Sequence, residues 1–297
     1  MSHIILWVLL ASELWHHPSW GNVYPYHITR KTPKSKRWWK GPQYNTGRNF
    51  GGWLFQVQHT SASVICGASY YSPLLMIASA NCIHPHRYDL EGTSVEPTFT
   101  EEDIYGLIDT VYTPNEFQQF HLYMDIAVIL LQSPIKGKTT EFIKLCSKPI
   151  KPGMWTTVYA WGFDSMHMGA QTTNTKSGIV PVEDVETCRK KLRTTDTRLS
   201  STSFCVTHPK NARKCLYDGG APLTYGTELC GVVSYGPVCT NAGHPGVYTD
   251  INKVADFIED IEYAIKIGLL KRRIPLKKYM EKRSGKKKEK ILKHKHR

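Results

Sequence analysis

Residues 215–251 read CLYDGGAPLTYGTELCGVVSYGPVCTNAGHPGVYTDI. Within this stretch Leu229–Ser234 and Gly246–Thr249 are short runs of β-branched and aromatic residues, set between Gly, Pro and Asn clusters. Such side chains suit a pleated, half-buried surface, and the punctuating residues suit turns. The same texture recurs upstream at Trp53–His59, Val64–Tyr70, Ile126–Leu131 and Thr157–Trp161. Short strands at this spacing predict an all-β body of the sandwich or barrel kind. Two helical patterns interrupt it. Val182–Leu192 is short, whereas Val254–Ile267 (VADFIEDIEYAIKI) places apolar residues three and four apart. No internal repeat is visible.

The chain has 297 residues, 41% of them hydrophobic and 21% charged, which excludes a wholly disordered, collagen-like or coiled-coil protein. Its net charge of +13 suggests a nucleic-acid, anionic-glycan or acidic-membrane partner only if the charge lies on the folded body. It does not. Residues 22–48 hold seven basic residues and no acid, and residues 266–297 hold fifteen basic residues against Glu281 and Glu289. Residues 49–265 hold 16 basic and 22 acidic residues, so the body is acidic between two basic flanks.

Ile4–Ala11 (IILWVLLA) is too short an apolar run to span a bilayer and reads as the core of an export signal, with cleavage expected after Gly21. Eight cysteines fit an oxidising compartment, so a secreted, extracellular protein is expected. The expected organisation is a signal peptide over 1–21, a basic N-terminal segment over 22–48, a folded domain over 49–265 and a basic, disordered tail over 266–297. There is no Asn-x-Ser/Thr sequon. Lys34-Ser35-Lys36-Arg37 and Leu270-Lys271-Arg272-Arg273 resemble paired-basic processing sites. Trp38 and Trp39 are either a recognition knob or part of a discarded propeptide.

Three strings carry a family resemblance: Cys66–Cys82 (CGASYYSPLLMIASANC), Met124–Leu131 (MDIAVILL) and the 215–251 stretch. Together, in this order and spacing, they resemble the trypsin/chymotrypsin family of serine proteases over roughly residues 49–262. The resemblance implies two six-stranded antiparallel β-barrels with the active cleft between them and a C-terminal helix. It also narrows the 105 pairings that eight cysteines allow. It implies Cys66–Cys82, Cys188–Cys205 and Cys215–Cys239, which leaves Cys146–Cys230.

Family chemistry needs a base, a carboxylate that orients it, and a nucleophile. The family's histidine falls on Asn81 in Ser79-Ala80-Asn81-Cys82, and a carboxamide accepts no proton near neutral pH. The orienting aspartate falls on Asp125, expected to be a buried acceptor for Asn81 or its surroundings. The serine falls on Gly219, and hydrogen is no nucleophile. Loss of one triad member typically costs about 10⁴ to 10⁶ in turnover, and a second loss adds little. Tyr217 replaces a glycine of the oxyanion hole, and Arg213 stands where trypsin-like enzymes carry the aspartate that binds Lys or Arg. Asp218 is kept. Ser234, Tyr235 and Gly236 match the pocket wall, where Tyr235 could pair with an extended peptide. Arg48-Asn49-Phe50-Gly51-Gly52 resembles the family's activation site, with polar Asn49 where an apolar new terminus is needed.

The expectation is a catalytically inactive, secreted serine protease homologue, similar to insect homologues, that binds extracellular protein partners. The missing upstream cysteines exclude a clip domain, which favours a seminal-fluid, reproductive role over an immune cascade. One alternative is a polyanion binder acting through Lys286-Lys287-Lys288 and its neighbours on glycan or DNA. Another is an endopeptidase with an unrecognised nucleophile. His84 and His86 lack a third ligand and are read as polar loop residues, so no metal and no cofactor is expected.

Overall fold

The computed structural model describes residues 51–58, 64–84, 93–97, 104–137, 140–160, 176–207, 219–235 and 244–270. The first barrel is built from β1 (Leu54–Gln58), β2 (Val64–Ser72), β3 (Leu75–Ala78), β4 (Ser94–Pro97), β5 (Gly106–Tyr112) and β6 (Ala127–Leu131). It closes in the order β1-β2-β3-β6-β5-β4, with every pairing antiparallel. β6 is wholly buried, and β1 alternates at its end, with Val57 buried between half-buried Gln56 and Gln58. Register shifts in β1, β2 and β5 bend the sheet toward closure. One turn of helix, α1 (Ala80–Ile83), follows β3.

The second unit comprises β7 (Lys144–Leu145), β8 (Trp155–Ala160), β9 (Lys176–Pro181), α2 (Val185–Leu192), β10 (Ser203–Val206), β11 (Pro222–Tyr225), β12 (Glu228–Tyr235) and β13 (Gly246–Asp250). Six of its strands run β10-β13-β12-β11-β8-β9, and β7 adds to β12 in parallel. Its two edges meet at a single bridge, Val182 to Val206, flanked by Thr207 N–H to Pro181 O (3.1 Å) and Glu183 N–H to Cys205 O (2.9 Å). The predicted all-β pair of barrels is therefore present, with an added parallel strand and a second barrel closed more sparingly than the first.

The final helix, α3 (Ile251–Lys266), buries Ile251, Val254, Ile258, Ile261 and Ala264. It starts three residues before the predicted Val254, because Asp250 caps it by accepting from Asn252 N–H (3.0 Å). α2 starts at Val185 rather than Val182. Asp184 caps it through Thr187 N–H (2.9 Å), and Val182 is drawn into the bridge that closes the barrel. Contacts that tie the halves of the molecule include Gly67 N–H to Gly219 O (2.8 Å), Met124 N–H to Thr202 Oγ1 (2.9 Å) and Tyr71 O–H to Glu262 Oε2 (2.8 Å). Disulfides join Cys66–Cys82, Cys146–Cys230 and Cys188–Cys205, each stabilising the fold by roughly 2–4 kcal/mol. Among the described residues no helix is long and apolar enough to cross a membrane. The expected signal, the segment 22–48, the Cys215–Cys239 pair and the tail beyond Leu270 lie outside the described residues.

Candidate functional site

The site forms where α1, β6, β12 and β13 converge. Ser79 leaves β3 in an extended conformation and caps α1, its Oγ accepting from Cys82 N–H at 3.4 Å. The same hydroxyl lies 2.9 Å and 3.0 Å from the two carboxylate oxygens of Asp125 and donates to them. Asn81 N–H donates to Asp125 Oδ1 (2.7 Å), and Ser234 O–H donates to Oδ2. Thr249 O–H donates to the Asp125 carbonyl (2.8 Å). Asp125 thus receives donors from both barrels while fully buried. Burial outweighs those donors and pushes its carboxyl up to about 6.

The Asn81 side chain does not meet Asp125; its Nδ2 donates to the Ser234 carbonyl at 3.3 Å. Asp125 therefore bonds this residue through the backbone, and the carboxamide spans the barrels instead. Ser234 is 4% exposed, and its hydroxyl donates to Asp125. Tyr235 is half-buried and pairs with Val247.

Gly219 lies against the Cys66–Cys82 disulfide: a Cβ there would sit 3.1 Å from Cys82 Cβ and 3.8 Å from its Sγ. Gly220 has φ +77°, and a Cβ would come within 2.4 Å of Gly67 O. Gly220 N–H also bonds Val233 O at 2.9 Å. The loop at the nucleophile's position is thus pinned to β2 and β12. The structure brings Asn81, Asp125, Ser234 and Gly219 together; Arg213, Tyr217, Asp218 and Gly236 lie outside the described residues, as do Asn49 and His86.

A second group of residues was not anticipated from the sequence. Leu122 (φ 49°) and Met124 (φ 53°), just ahead of Asp125, adopt left-handed backbone without being glycine, at about 1–2 kcal/mol each. Ser200 and Ser203 hydroxyls donate to Leu122 O (3.0 and 3.3 Å), while Thr202 Oγ1 accepts from Met124 N–H. Leu122 itself is buried with Cys188, Leu192, Cys205 and Val247. The run of four hydroxyls at 200–203 was the available signal. His84 packs its ring edge against Phe117 (5.6 Å between centroids), and no cluster of three metal-ligating side chains forms among the described residues.

Two barrels, a C-terminal helix and a buried aspartate where they meet define the trypsin fold. The family model described as Trypsin matches residues 40–258, and the chain belongs to that family. It is 30% identical to Seminase of Drosophila melanogaster over 221 residues, covering 73% of this chain and 79% of that protein. It is also similar to Trypsin iota of the same species (28%; 69% of this chain, 85% of that one) and to Hypodermin-B of Hypoderma lineatum (27%; 66% and 77%).

Proposed function

We propose that this chain is a secreted, non-catalytic member of the trypsin family that acts as a binding module for an extracellular protein. The observation that carries this reading is the engagement of Asn81. Its amide donates to the Ser234 carbonyl, and Gly219, packed against the adjoining Cys82, offers no side chain. A carboxamide takes no proton from an attacking group, and glycine supplies no attacking atom. Asp125 then has no imidazole to orient and serves as a hydrogen-bonding tie between barrels. The domain spans residues 49–265, and its even cysteine count fits secretion. The likeness to Seminase, whose name refers to semen, supports a role in seminal fluid.

The test is labelling of the purified full chain with a fluorophosphonate probe, alongside peptide-library turnover. Neither labelling nor turnover above a denatured control is expected, and either would overturn the non-catalytic reading. Cross-linking in the native secretion is expected to trap a specific protein on the barrels. Repeated recovery of the protein free of any partner would refute the binding role.

A further inference from the structure

Of the large apolar side chains among the described residues, Phe120 is the most exposed, at 87%. Its position is built. Gln118 N–H bonds Tyr123 O (3.0 Å) and Tyr123 N–H bonds Gln118 O (3.2 Å), which closes a turn over residues 119–122 with Phe120 on it. Leu122 N–H bonds Gln119 O (3.4 Å) across the same turn. The Leu122 side chain is buried and roots the turn in the second barrel, among Cys188, Leu192, Cys205 and Val247. Among the described residues, Leu122 and Met124 are also the only non-glycine positions with left-handed backbone, one on either side of Tyr123. Such backbone is unfavourable for a residue with a Cβ and persists only where its surroundings over-determine it. Here the second barrel supplies the hold. Ser200 and Ser203 hydroxyls donate to Leu122 O, and Thr202 Oγ1 accepts from Met124 N–H.

A single exposed apolar residue needs no explanation. One carried on a strained turn that a neighbouring barrel braces does. We infer that the 118–123 turn is a preformed finger that inserts Phe120 into an apolar pocket of an extracellular protein partner. This rests on the binding role proposed above and gives that role a surface. The surroundings of Phe120 select the occupant. From Thr113 to Met124 the only formally charged side chain is Glu116, and exposed Gln118, Gln119 and His121 flank the ring in sequence. An aromatic anchor among uncharged hydrogen-bonding groups suits the desolvated centre of a protein interface, where charge is depleted and polar neighbours exclude water. A lipid surface would ask for a broad apolar face with basic neighbours, and a nucleic acid for a row of cations; the turn offers neither. Because the turn is already ordered, docking costs it little conformational freedom.

The experiment retains protein from the native secretion on the immobilised full chain, purifies what is retained and titrates it against variants in solution. Phe120→Ala is expected to weaken the affinity at least about thirtyfold, the loss of an interface anchor. Its melting temperature should not change, because the ring is exposed. Ser200→Ala/Ser203→Ala keeps Phe120 but loosens its support, and should weaken the affinity about fivefold. Ile179→Ala, which trims another exposed apolar side chain (69%), should leave the affinity unchanged. A head-to-tail cyclic peptide of residues 117–124 should compete for the purified partner, and its Phe120→Ala form should not. Equal affinity of the parent and Phe120→Ala would overturn the inference while leaving the binding role intact, as would equal weakening by Ile179→Ala. Unchanged affinity of Ser200→Ala/Ser203→Ala would overturn the preformed finger. Retention of no protein at all would overturn both the finger and the binding role. Phosphatidylserine vesicles that bind the parent but not Phe120→Ala would assign the ring to lipid, and self-association that Phe120→Ala abolishes would assign it to a second copy; either overturns the proposal. A chain that reacts with fluorophosphonate yet needs Phe120 for its partner would refute the non-catalytic reading alone.

Discussion

Replacing Asp125 with Asn removes a fully buried charge and keeps the shape of the group that carries it. The carboxyl is pushed from the ordinary 3.8 up to about 6 by burial, against the donors Ser234, Asn81 and Ser79. The folded state therefore holds the proton more tightly than the unfolded chain does. For a raised carboxyl the stabilising contribution is complete below about pH 4, and it is lost as pH rises through about 6. A shift of about two units corresponds to about 3 kcal/mol of stability forfeited by neutral pH. Asn keeps an oxygen to accept from Asn81 N–H (2.7 Å) and Ser79 O–H. Its Nδ2 meets the Ser234 hydroxyl, which turns from donor to acceptor. The weakened charged hydrogen bonding costs about 1 kcal/mol. Asp125→Asn is thus expected to match or fall slightly below the parent at pH 4 and to exceed it by roughly 2 kcal/mol at pH 7.5.

The assay is urea unfolding of both proteins, disulfides intact, at four pH values from 4 to 7.5. Every other titrating group is shared, so the difference in stability isolates Asp125. That difference should move by about 2–3 kcal/mol in favour of Asn across the range. A difference flat with pH would refute the reasoning, since it would mean the donors fully offset burial. A variant that loses ground as pH rises would refute it more sharply, because the native carboxylate would then be the favoured form.

Two further expectations concern the backbone around the site. Gly219→Ala should cost no more than about 1–2 kcal/mol, because its Cβ meets only the Cys82 side chain at 3.1 Å. Gly220→Ala should cost about 3 kcal/mol or more, because it adds left-handed strain to a 2.4 Å approach to a backbone oxygen. Equal melting temperatures for the two variants would contradict this ordering. Ser200→Ala/Ser203→Ala strips both hydroxyls from the Leu122 carbonyl, at about 2 kcal/mol. It should also speed amide exchange at Tyr123, whose N–H bonds Gln118 O. Unchanged exchange there would show that the loop holds its shape without them.

The strands most legible in the sequence were long runs of β-branched and apolar residues. β6 (AVILL) and β12 (ELCGVVSY) are nearly continuous apolar runs, buried along their length. The strand runs read from the sequence missed β3 (LMIA), β5 (GLIDTVY), β7 (KL) and β10 (SFCV), of which β3, β5 and β10 are largely buried. They also missed β4 (SVEP), β9 (KSGIVP) and β11 (PLTY), where prolines and polar residues mask strands whose partners come from elsewhere in the barrel. Local pattern cannot see pairing across the chain, such as Leu223 with Val158. The same limit applied at the site. Asn81, Asp125 and Gly219 could be located from their flanking motifs, but the destination of the Asn81 amide could not. Nor could the left-handed Leu122 and Met124, since nothing in His121-Leu122-Tyr123-Met124 resembles a glycine or asparagine turn.

The disposition of donors around Asp125 explains how the fold keeps this carboxylate under the proposed non-catalytic reading. Ser79 belongs to the first barrel's exit from β3, Ser234 to β12 and Thr249 to β13, and all three hydroxyls end on one aspartate. Replacing Asp125 with an apolar residue would strand two side-chain hydroxyls and the Asn81 N–H in a dry interior, each at about 1–3 kcal/mol. Asn81 and Gly219 face the opposite constraint. Asn81 contributes its structural bond through the backbone, which any residue but proline supplies, and Gly219 makes its inter-barrel bond through a carbonyl. The fold thus places few demands on the two side chains the chemistry would need most. It demands a hydrogen-bonding partner at the position that merely orients them, so loss of chemistry at 81 and 219 is compatible with a fold that still requires Asp125.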